Sequence, residues 1–573
     1  MVDAVNNSKL SETAKENILN WLNHEKYQHY KPELEGLINE EEWKTLEDSF
    51  FRVLPFGTGG RRGTCGVGSN RINKVTIGET VQALCNYLQE LSVDKPKVAI
   101  AFDSRLTSTE YAEYCSKVLA GNNVESFIFD GPRATPELSF IVRDMNMDAG
   151  IVITASHNPS SDNGIKLYWK DGGQLVSPHD TNILSHAEKV SKILEADDSS
   201  SKTTLGDEQD RRYWAAASEF LRTDNRNIKV AYSPLHGTGI TSVYPVLKNA
   251  GFDVQLFEKQ AEMNGNFPNV TNNIPNPEVP AANDQVSAFA LENNCDLATT
   301  NDPDADRFCV LVNDGKSMVQ LNGNQAAVLM TDYMLEGLKN KDELTSSHFI
   351  ASTIVTTDML TKLADHYGVK HVSNLLVGFK YIGEQIHLLH DEGESTFVCG
   401  GEESYGGVIG DYCRDKDAAG PTAVVVELAA ELKKQGKTLL DKLNELYELH
   451  GYFHEELKAI SFPGAEGFNT MQAFMEKLRQ NTPEEIAGMK VKRVRDYLSG
   501  EEILGKKENV LRLEFSEDSH NRVTIRPSGT EPKIKIYAQT YEQAGDDLAS
   551  AKSKVSDRSD SLCQSLMKMV EEL

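Results

Sequence analysis

The chain has 573 residues, which at roughly 150 residues per domain corresponds to about four domains. Its 59 lysines and arginines face 86 aspartates and glutamates, and the formal charge of −27 excludes a general binder of nucleic acid or anionic membrane, whose surface must be locally basic. The 39% apolar and 25% charged content is that of an ordinary globular protein, and no apolar run approaches the ~18–20 residues that span a bilayer. The N-terminal Met-Val-Asp-Ala-Val-Asn-Asn lacks the basic and apolar regions of a secretory signal. Eight cysteines between Cys65 and Cys563 form no C-x-x-C pair, so a reduced, cytoplasmic setting is expected.

In chain order, short β-branched runs bounded by turn residues predict buried strands at 97–102, 149–154, 228–232, 349–352 and 396–399. Helical patterns lie between them at 80–91, 111–121, 243–251 and 422–436, the last two ending at glycine. Alternating strands and helices imply parallel sheets built from βαβ units. The polar, aperiodic stretch 196–210 reads as a linker or surface loop. Near residues 449–453 the pattern changes to strands at 490–497, 510–515 and 533–539 flanked by helices, an α+β order.

Five loops carry chemistry-bearing residues. Thr154-Ala-Ser-His-Asn-Pro159 follows a strand, where ligands gather in parallel sheets. Ser156 offers a hydroxyl, and Lys166 in the continuation offers a proton-transfer amine, although a plain strand-ending turn fits the same residues. The adjacency of His157 to Ser156 does not imply a Ser–His relay, because neighbours in extended backbone point in different directions. In Asp302-Pro-Asp-Ala-Asp-Arg307 three carboxylates at i, i+2 and i+4 can converge on one hard cation, and Mg²⁺ suits so few protein ligands; the alternative is a solvated acidic turn. An EF-hand is excluded, since its glycine and glutamate positions hold Arg307 and Asn313.

Gly400-Gly-Glu-Glu-Ser-Tyr-Gly406 offers carboxylates and a hydroxyl to the vicinal hydroxyls of a sugar, or is a flexible surface loop. Arg526-Pro-Ser-Gly-Thr-Glu-Pro-Lys533 combines hydroxyls, a backbone N–H and a guanidinium suited to a phosphate monoester, and equally reads as a hairpin turn. Gly57-Thr-Gly-Gly-Arg-Arg-Gly63 is a further anion-binding candidate without the Gly-Lys-Ser/Thr of a Walker A loop. Phosphoryl transfer on a phosphosugar is the chemistry that uses all five.

Taken in order, TASHNPSSDNGIK, DPDADR, GGEESYG and RPSGTEPK resemble the four signature loops of the α-D-phosphohexomutase superfamily, over essentially the whole chain. The long N-terminal segment and the GEES form of the sugar loop look most like the phosphoglucomutase branch, which also includes phosphopentomutases. The resemblance implies an α/β fold class: three related α/β domains with mixed, mainly parallel sheets plus a C-terminal α+β domain, arranged around a central cleft. The expected domains are 1–208 with the phosphoserine loop, 209–323 with the metal loop, 324–450 with the sugar loop and 451–573 with the phosphate loop.

By motif, Ser156 would be the phosphorylated serine and, with Asp302, Asp304 and Asp306, would hold Mg²⁺. His157, Lys166 and Arg307 would serve the chemistry. Glu402 and Ser404 would hold sugar hydroxyls, while Arg526, Ser528, Gly529 and Thr530 would clamp the distal phosphate. Arg62, Gly378 and Lys416 match further cleft positions. Two residues depart from common family patterns: Val377 where several relatives carry threonine, and Ala418 where glycine is frequent.

The implied activity is interconversion of glucose 1-phosphate and glucose 6-phosphate through glucose 1,6-bisphosphate. Phosphopentomutase, phosphomannomutase and a non-catalytic sugar-phosphate-binding homologue are the alternatives. A phosphatase using Asp302 as nucleophile is disfavoured by Pro303 and by the lack of a D-x-D-G-T run. The expected partners are small sugar phosphates, with neither nucleic acid nor membrane, and the expected state is a monomer or weak dimer. Arg62, Lys166, Arg307, Lys416 and Arg526 are expected to form one basic cleft in an acidic molecule.

Overall fold

A computed structural model describes residues 1–55, 60–196, 202–462, 465–499, 506–528, 533–544 and 547–571. The chain divides into two compact units, one of residues 1–320 with 406–426 and the other of residues 321–405 with 427–573. Among the described residues no helix is long and apolar enough to cross a membrane, and no disulfide joins the cysteines.

The first unit holds two sheets. One has the strand order Gly60–Thr64, Asp162–Trp169, Ala149–Ile153, Lys97–Phe102, Glu125–Phe129 and Lys202–Leu205. Its last four strands are parallel, and Asp162–Trp169 runs antiparallel to both of its neighbours. The core strands are buried on both faces, as their continuous apolar runs require: all five residues of Ala149–Ile153 are buried. The second sheet pairs Lys229–Ser233 in parallel with Asp253–Leu256 and Leu297–Asn301, then adds Phe308–Asn313 and Met318–Gln320 antiparallel. Strands whose connections are helices run parallel, while those joined directly by the serine loop or the triad loop reverse direction.

Two expectations are corrected here. The stretch 196–210 is not simply a linker. Lys202–Leu205 pairs with Glu125–Phe129 as an edge strand, and Asp207 opens the helix Asp207–Ser218. Its two central threonines are exposed, and an edge strand with so little apolar content gives no burial signal to read. Secondly, the helix expected at 80–91 begins earlier, at Lys74, because Asn73 and Thr76 close a capping box ahead of it.

The N-terminal residues form four α-helices, Val2–Asn7, Glu12–Asn23, Lys31–Asn39 and Trp43–Phe50, with a short 3₁₀ helix at Glu25–Tyr30. They share a core of Ile18, Trp21, Leu34, Leu46 and Phe50, which also takes in Val67 and Val75.

In the second unit, His348–Ser352 lies between Lys370–Val372 and Thr396–Glu402, all parallel. The C-terminal part is an antiparallel sheet ordered Tyr452–Ser461, Lys533–Glu542, Arg522–Pro527, Leu511–Glu514 and Arg493–Asp496. Helices Ala465–Gln480 and Leu548–Glu571 accompany it, and Phe474, Met475, Leu562 and Leu566 share the sheet's core. The strand expected at 490–497 is split: Met489–Lys490 pairs with Glu485–Ile486, and Arg493–Asp496 pairs with Leu511–Glu514.

Candidate functional site

The first unit's parallel strands end at the loops singled out from the sequence. Ala149–Ile153 runs into the serine loop, Leu297–Asn301 into the acidic triad, and Lys97–Phe102 into Asp103-Ser-Arg105. This is the edge at which ligands bind in open α/β sheets.

Ser156 is buried and adopts φ +52°, a left-handed conformation rare for a residue with a side chain. Its N–H donates to Thr154 Oγ1 at 2.8 Å. Its hydroxyl donates to Asp302 Oδ2 at 2.6 Å and lies 3.1 Å from His157 Nδ1. The expectation that neighbouring residues must diverge fails here, because the left-handed turn at Ser156 replaces the extended backbone on which it rested. Burial, and then the positive charges of Arg307 and Arg62, hold the His157 imidazole well below its ordinary value, so at neutral pH it is uncharged.

Asp302, Asp304 and Asp306 are buried, and one oxygen from each lies within 4.8 Å of those of the other two. The loop curls through Ala305 at φ +49°, with Ala305 N–H on Asp302 O at 2.9 Å. Lys166 Nζ reaches Asp304 Oδ2 at 3.0 Å and Asp306 Oδ2 at 3.3 Å, and Lys416 Nζ reaches Asp306 Oδ2 at 2.9 Å. Burial and the two neighbouring carboxylates push Asp302 well above the ordinary carboxylate range. Burial would raise Asp304 and Asp306 too, but the lysines outweigh it and hold both below their usual value. Among the described residues, Asp304 Oδ1 and Asp306 Oδ1 accept no hydrogen bond although they are buried. Orphaned carboxylate oxygens beside Asp302 and a serine oxygen form a hard, all-oxygen donor set that fits a divalent cation such as Mg²⁺.

Arg62 faces Asp304, Asp306 and Arg307 electrostatically, and its strand places it opposite Gly164. Arg307 is held by Glu278, a partner the sequence did not point to. Asp415 steadies Lys416 at 3.2 Å while accepting from Tyr168 Oη and Gln174 Nε2. Ala418 N–H donates to Ala305 O at 3.2 Å, tying the Lys416 loop to the triad loop. Ser156, His157, Arg62, Lys166, Arg307, Lys416 and the three aspartates thus meet in one unit.

Further supports went unseen in the sequence. Thr135, in the first turn of helix Thr135–Asp144, donates Oγ1 to Asp304 Oδ2 at 2.8 Å and N–H to the Asp304 backbone carbonyl at 2.9 Å, tying the start of that helix to the triad loop. Gly237 abuts Pro303 so closely that a Cβ would lie 2.7 Å from the Pro303 carbonyl oxygen. The only signal for Thr135 and Gly237 was position at the carboxyl edge of a sheet.

The second unit holds the other candidates. Gly378 N–H donates to Glu402 Oε1 at 3.1 Å, and the φ of +132° at Gly378 is one that glycine alone adopts readily. Glu402 is buried, and Ser404 is half-buried in the turn that follows. Val377 is half-buried against Ile354, Leu376 and Tyr537, so a methyl-bearing side chain has apolar neighbours there. Arg526 pairs with Glu508 at 2.8 Å and lies in the field of Glu403. Ser528 N–H donates to Lys533 O at 2.7 Å, closing a hairpin. Gly529 and Thr530, like Gly57–Gly59, lie outside the described residues. Arg526 belongs to the second unit and the other four basic residues to the first.

The sequence matches the phosphoglucomutase/phosphomannomutase alpha/beta/alpha domain I over residues 54–193, domain II over 211–315 and domain III over 322–450. The C-terminal domain of the same family matches residues 479–548. Phosphoglucomutases of Staphylococcus aureus strains USA300 and NCTC 8325 are 34% identical over 524 residues, covering 88% of this chain and 92% of each relative. The fold is also that of a crystal structure of a phosphomannomutase-like protein from Thermus thermophilus, at TM-score 0.68 and 21% identity over 91% of this chain and 99% of that one. The open form of pp63/parafusin, a phosphoglucomutase from Paramecium, superposes at TM-score 0.67 and 18% identity over 90% and 94%. With four domain matches in order and curated relatives matched along nearly their whole length, the chain belongs to the phosphoglucomutase/phosphomannomutase family.

Proposed function

We propose that the protein interconverts glucose 1-phosphate and glucose 6-phosphate by way of phospho-Ser156 and glucose 1,6-bisphosphate, in a reducing cytoplasmic setting. The observation that carries this reading is the buried Ser156 hydroxyl, 2.6 Å from a triad carboxylate and flanked by a neutral histidine. The similarity to curated phosphoglucomutases supports glucose as the sugar. On this reading the four domains 1–208, 209–323, 324–450 and 451–573 each give one loop to a cleft.

Asp302, Asp304 and Asp306, with an oxygen of the seryl phosphate, would hold Mg²⁺, which when bound offsets charge on the transferring phosphoryl group. In the first half-reaction the sugar 6-hydroxyl attacks phospho-Ser156, and the bond from phosphorus to Oγ breaks as the bond to O6 forms. The net proton movement is from the attacking hydroxyl to the departing Oγ. His157, 3.1 Å from the free Ser156 Oγ, is placed to hand that proton over. Lys166 and Arg307 add fixed positive charge where negative charge is shared between donor and acceptor oxygens. The bisphosphate then turns in the cleft and returns its 1-phosphoryl group to Ser156. Glu402 and Ser404 would hold sugar hydroxyls in both orientations, with Arg526, Ser528, Gly529 and Thr530 on the distal phosphate and Arg62, Gly378 and Lys416 lining the ligand.

A coupled assay on glucose 1-phosphate, primed with glucose 1,6-bisphosphate, tests the proposal. Ser156→Ala should abolish turnover and remove the mass of one phosphate from the intact protein; turnover retained in that variant would refute the phosphoserine step. Comparing kcat/KM on glucose, mannose and pentose 1-phosphates checks the sugar, and a preference for either of the latter two would reassign it.

A further inference from the structure

The φ of +52° at Ser156 has to be imposed by its surroundings, since a left-handed serine is sparsely populated on its own. The loop has no regular ladder to impose it. Instead, its carbonyl groups turn inward onto a single guanidinium. Arg105 Nη1 donates to Pro159 O at 2.7 Å and to Asp162 O at 2.9 Å. Its Nη2 donates to Ser156 O and to Asn158 O, each at 2.6 Å. Three carbonyls of the loop and that of Asp162, the first residue of the following strand, thus share one cation that is only 3% exposed.

The cation is itself fixed. Asp103 Oδ2 lies 3.2 Å from Arg105 Nε, and Asp103 Oδ1 accepts the Arg105 N–H at 3.0 Å. Asp103 also accepts from Ser108 Oγ and from Thr154 Oγ1, both at 2.6 Å, and Thr154 Oγ1 in turn accepts the Ser156 N–H. The ring of Phe267 lies 5.4 Å from the guanidinium carbon. Ser156 is therefore gripped by its carbonyl from Arg105 and by its N–H through Thr154 and Asp103, and only its side chain remains to face Asp302 and His157.

We propose that Arg105 is a positioning residue for phosphoryl transfer: its guanidinium clamps the carbonyls of residues 156, 158, 159 and 162 and so holds Ser156 in the conformation that aims Oγ at the acidic triad. The planar fork is essential to this task. Five donors in fixed directions reach several carbonyls at once, whereas a lysine ammonium in the same place carries three donors at one point. The proposal rests on the reading of Ser156 as the phosphoryl carrier, and its test has one arm that does not.

That arm is hydrogen exchange in the full chain. In Arg105→Lys, amide protection across 154–162 should fall by about tenfold or more while strand Ala149–Ile153 keeps its protection. Unchanged loop protection would overturn the clamp. The second arm is turnover of glucose 1-phosphate: kcat of Arg105→Lys should fall about 100-fold, the scale on which a small misplacement of a reacting group acts. KM should stay within about threefold of the parent, since the ligand's own contacts are untouched. Guanidinium ion added at millimolar concentration should restore part of the kcat of Arg105→Ala. A kcat near that of the parent in Arg105→Lys, or parallel losses of kcat and affinity without guanidinium rescue, would overturn the positioning role. If the parent protein itself fails to turn over any sugar phosphate, the phosphoserine reading falls and the exchange result alone decides the clamp.

Discussion

A carboxyl group outside the serine site shows how burial at one residue becomes a measurable property of the protein. Glu455, on strand Tyr452–Ser461, lines a small cavity with Asn324, Gln325, Thr357, Tyr447 and Phe453. Burial drives its pKa up to about 7, against the smaller opposing effects of Thr357 and Arg522. A carboxyl raised in the folded state binds its proton more tightly there than in the unfolded chain. Stability therefore falls as pH rises from the ordinary glutamate value through about 7, by at most roughly 3 kcal/mol. Glu455→Gln removes the charge at similar shape, so it should raise the urea midpoint of the second unit clearly at pH 8 and little at pH 5. An equal gain at both pH values would show that Glu455 is already ionised when buried. At this scale the chemistry-bearing side chains were legible, because serine, aspartate and lysine in those loops carry their function in their type. Arg105, Thr135 and Glu278 were not, since what they do depends on backbone carbonyls, a carboxylate and a guanidinium far away in sequence.

Elements were readable where burial is strong on both faces and obscure where it is not. The strands Lys97–Phe102 and Ala149–Ile153 announce themselves as apolar runs, whereas Lys202–Leu205 is polar at three of its four residues and gains its place only from a neighbouring strand. The N-terminal helices were missed for a related reason. They are short, and glutamates and asparagines dilute their periodicity, so their apolar stripes become visible only when they pack together. Trp21 is the centre of that packing: it stacks on Tyr27 at 4.4 Å and meets Phe50 edge-on at 5.4 Å. The same core takes in Val67 and Val75, which flank the N-cap Asn73, so it buttresses the helix behind the first sheet. Truncating a buried tryptophan costs about 3–5 kcal/mol through lost contacts and the cavity left behind. Trp21→Ala should therefore lower the calorimetric transition of the first unit by several degrees and leave that of the second in place. A shift of both transitions together would mean that the two units unfold as one.

At the scale of the molecule, a net charge of −27 stands against a ligand expected to be an anion. Around the acidic triad cations are concentrated: Arg62, Lys166, Arg307 and Lys416 face the three carboxylates, with Glu278 paired to Arg307 and Asp415 to Lys416. Two influences of opposite sign thus act over different ranges. The distributed acidic surface repels a sugar phosphate at long range, while the clustered cations attract it at contact. Salt separates the two, because screening sets in beyond about 8 Å at physiological ionic strength and hardly reaches groups in van der Waals contact inside a buried site. Raising ionic strength from about 10 to about 150 mM with a weakly binding salt should therefore weaken the repulsion first. We expect kcat/KM for a sugar monophosphate to hold or rise, by up to about threefold, over that range at fixed Mg²⁺. A polyanion binder behaves oppositely and loses affinity steeply as released counterions are matched by added salt. A steep fall in kcat/KM would mean that exposed basic residues beyond these four guide the ligand, and that the acidic surface has no say in its approach.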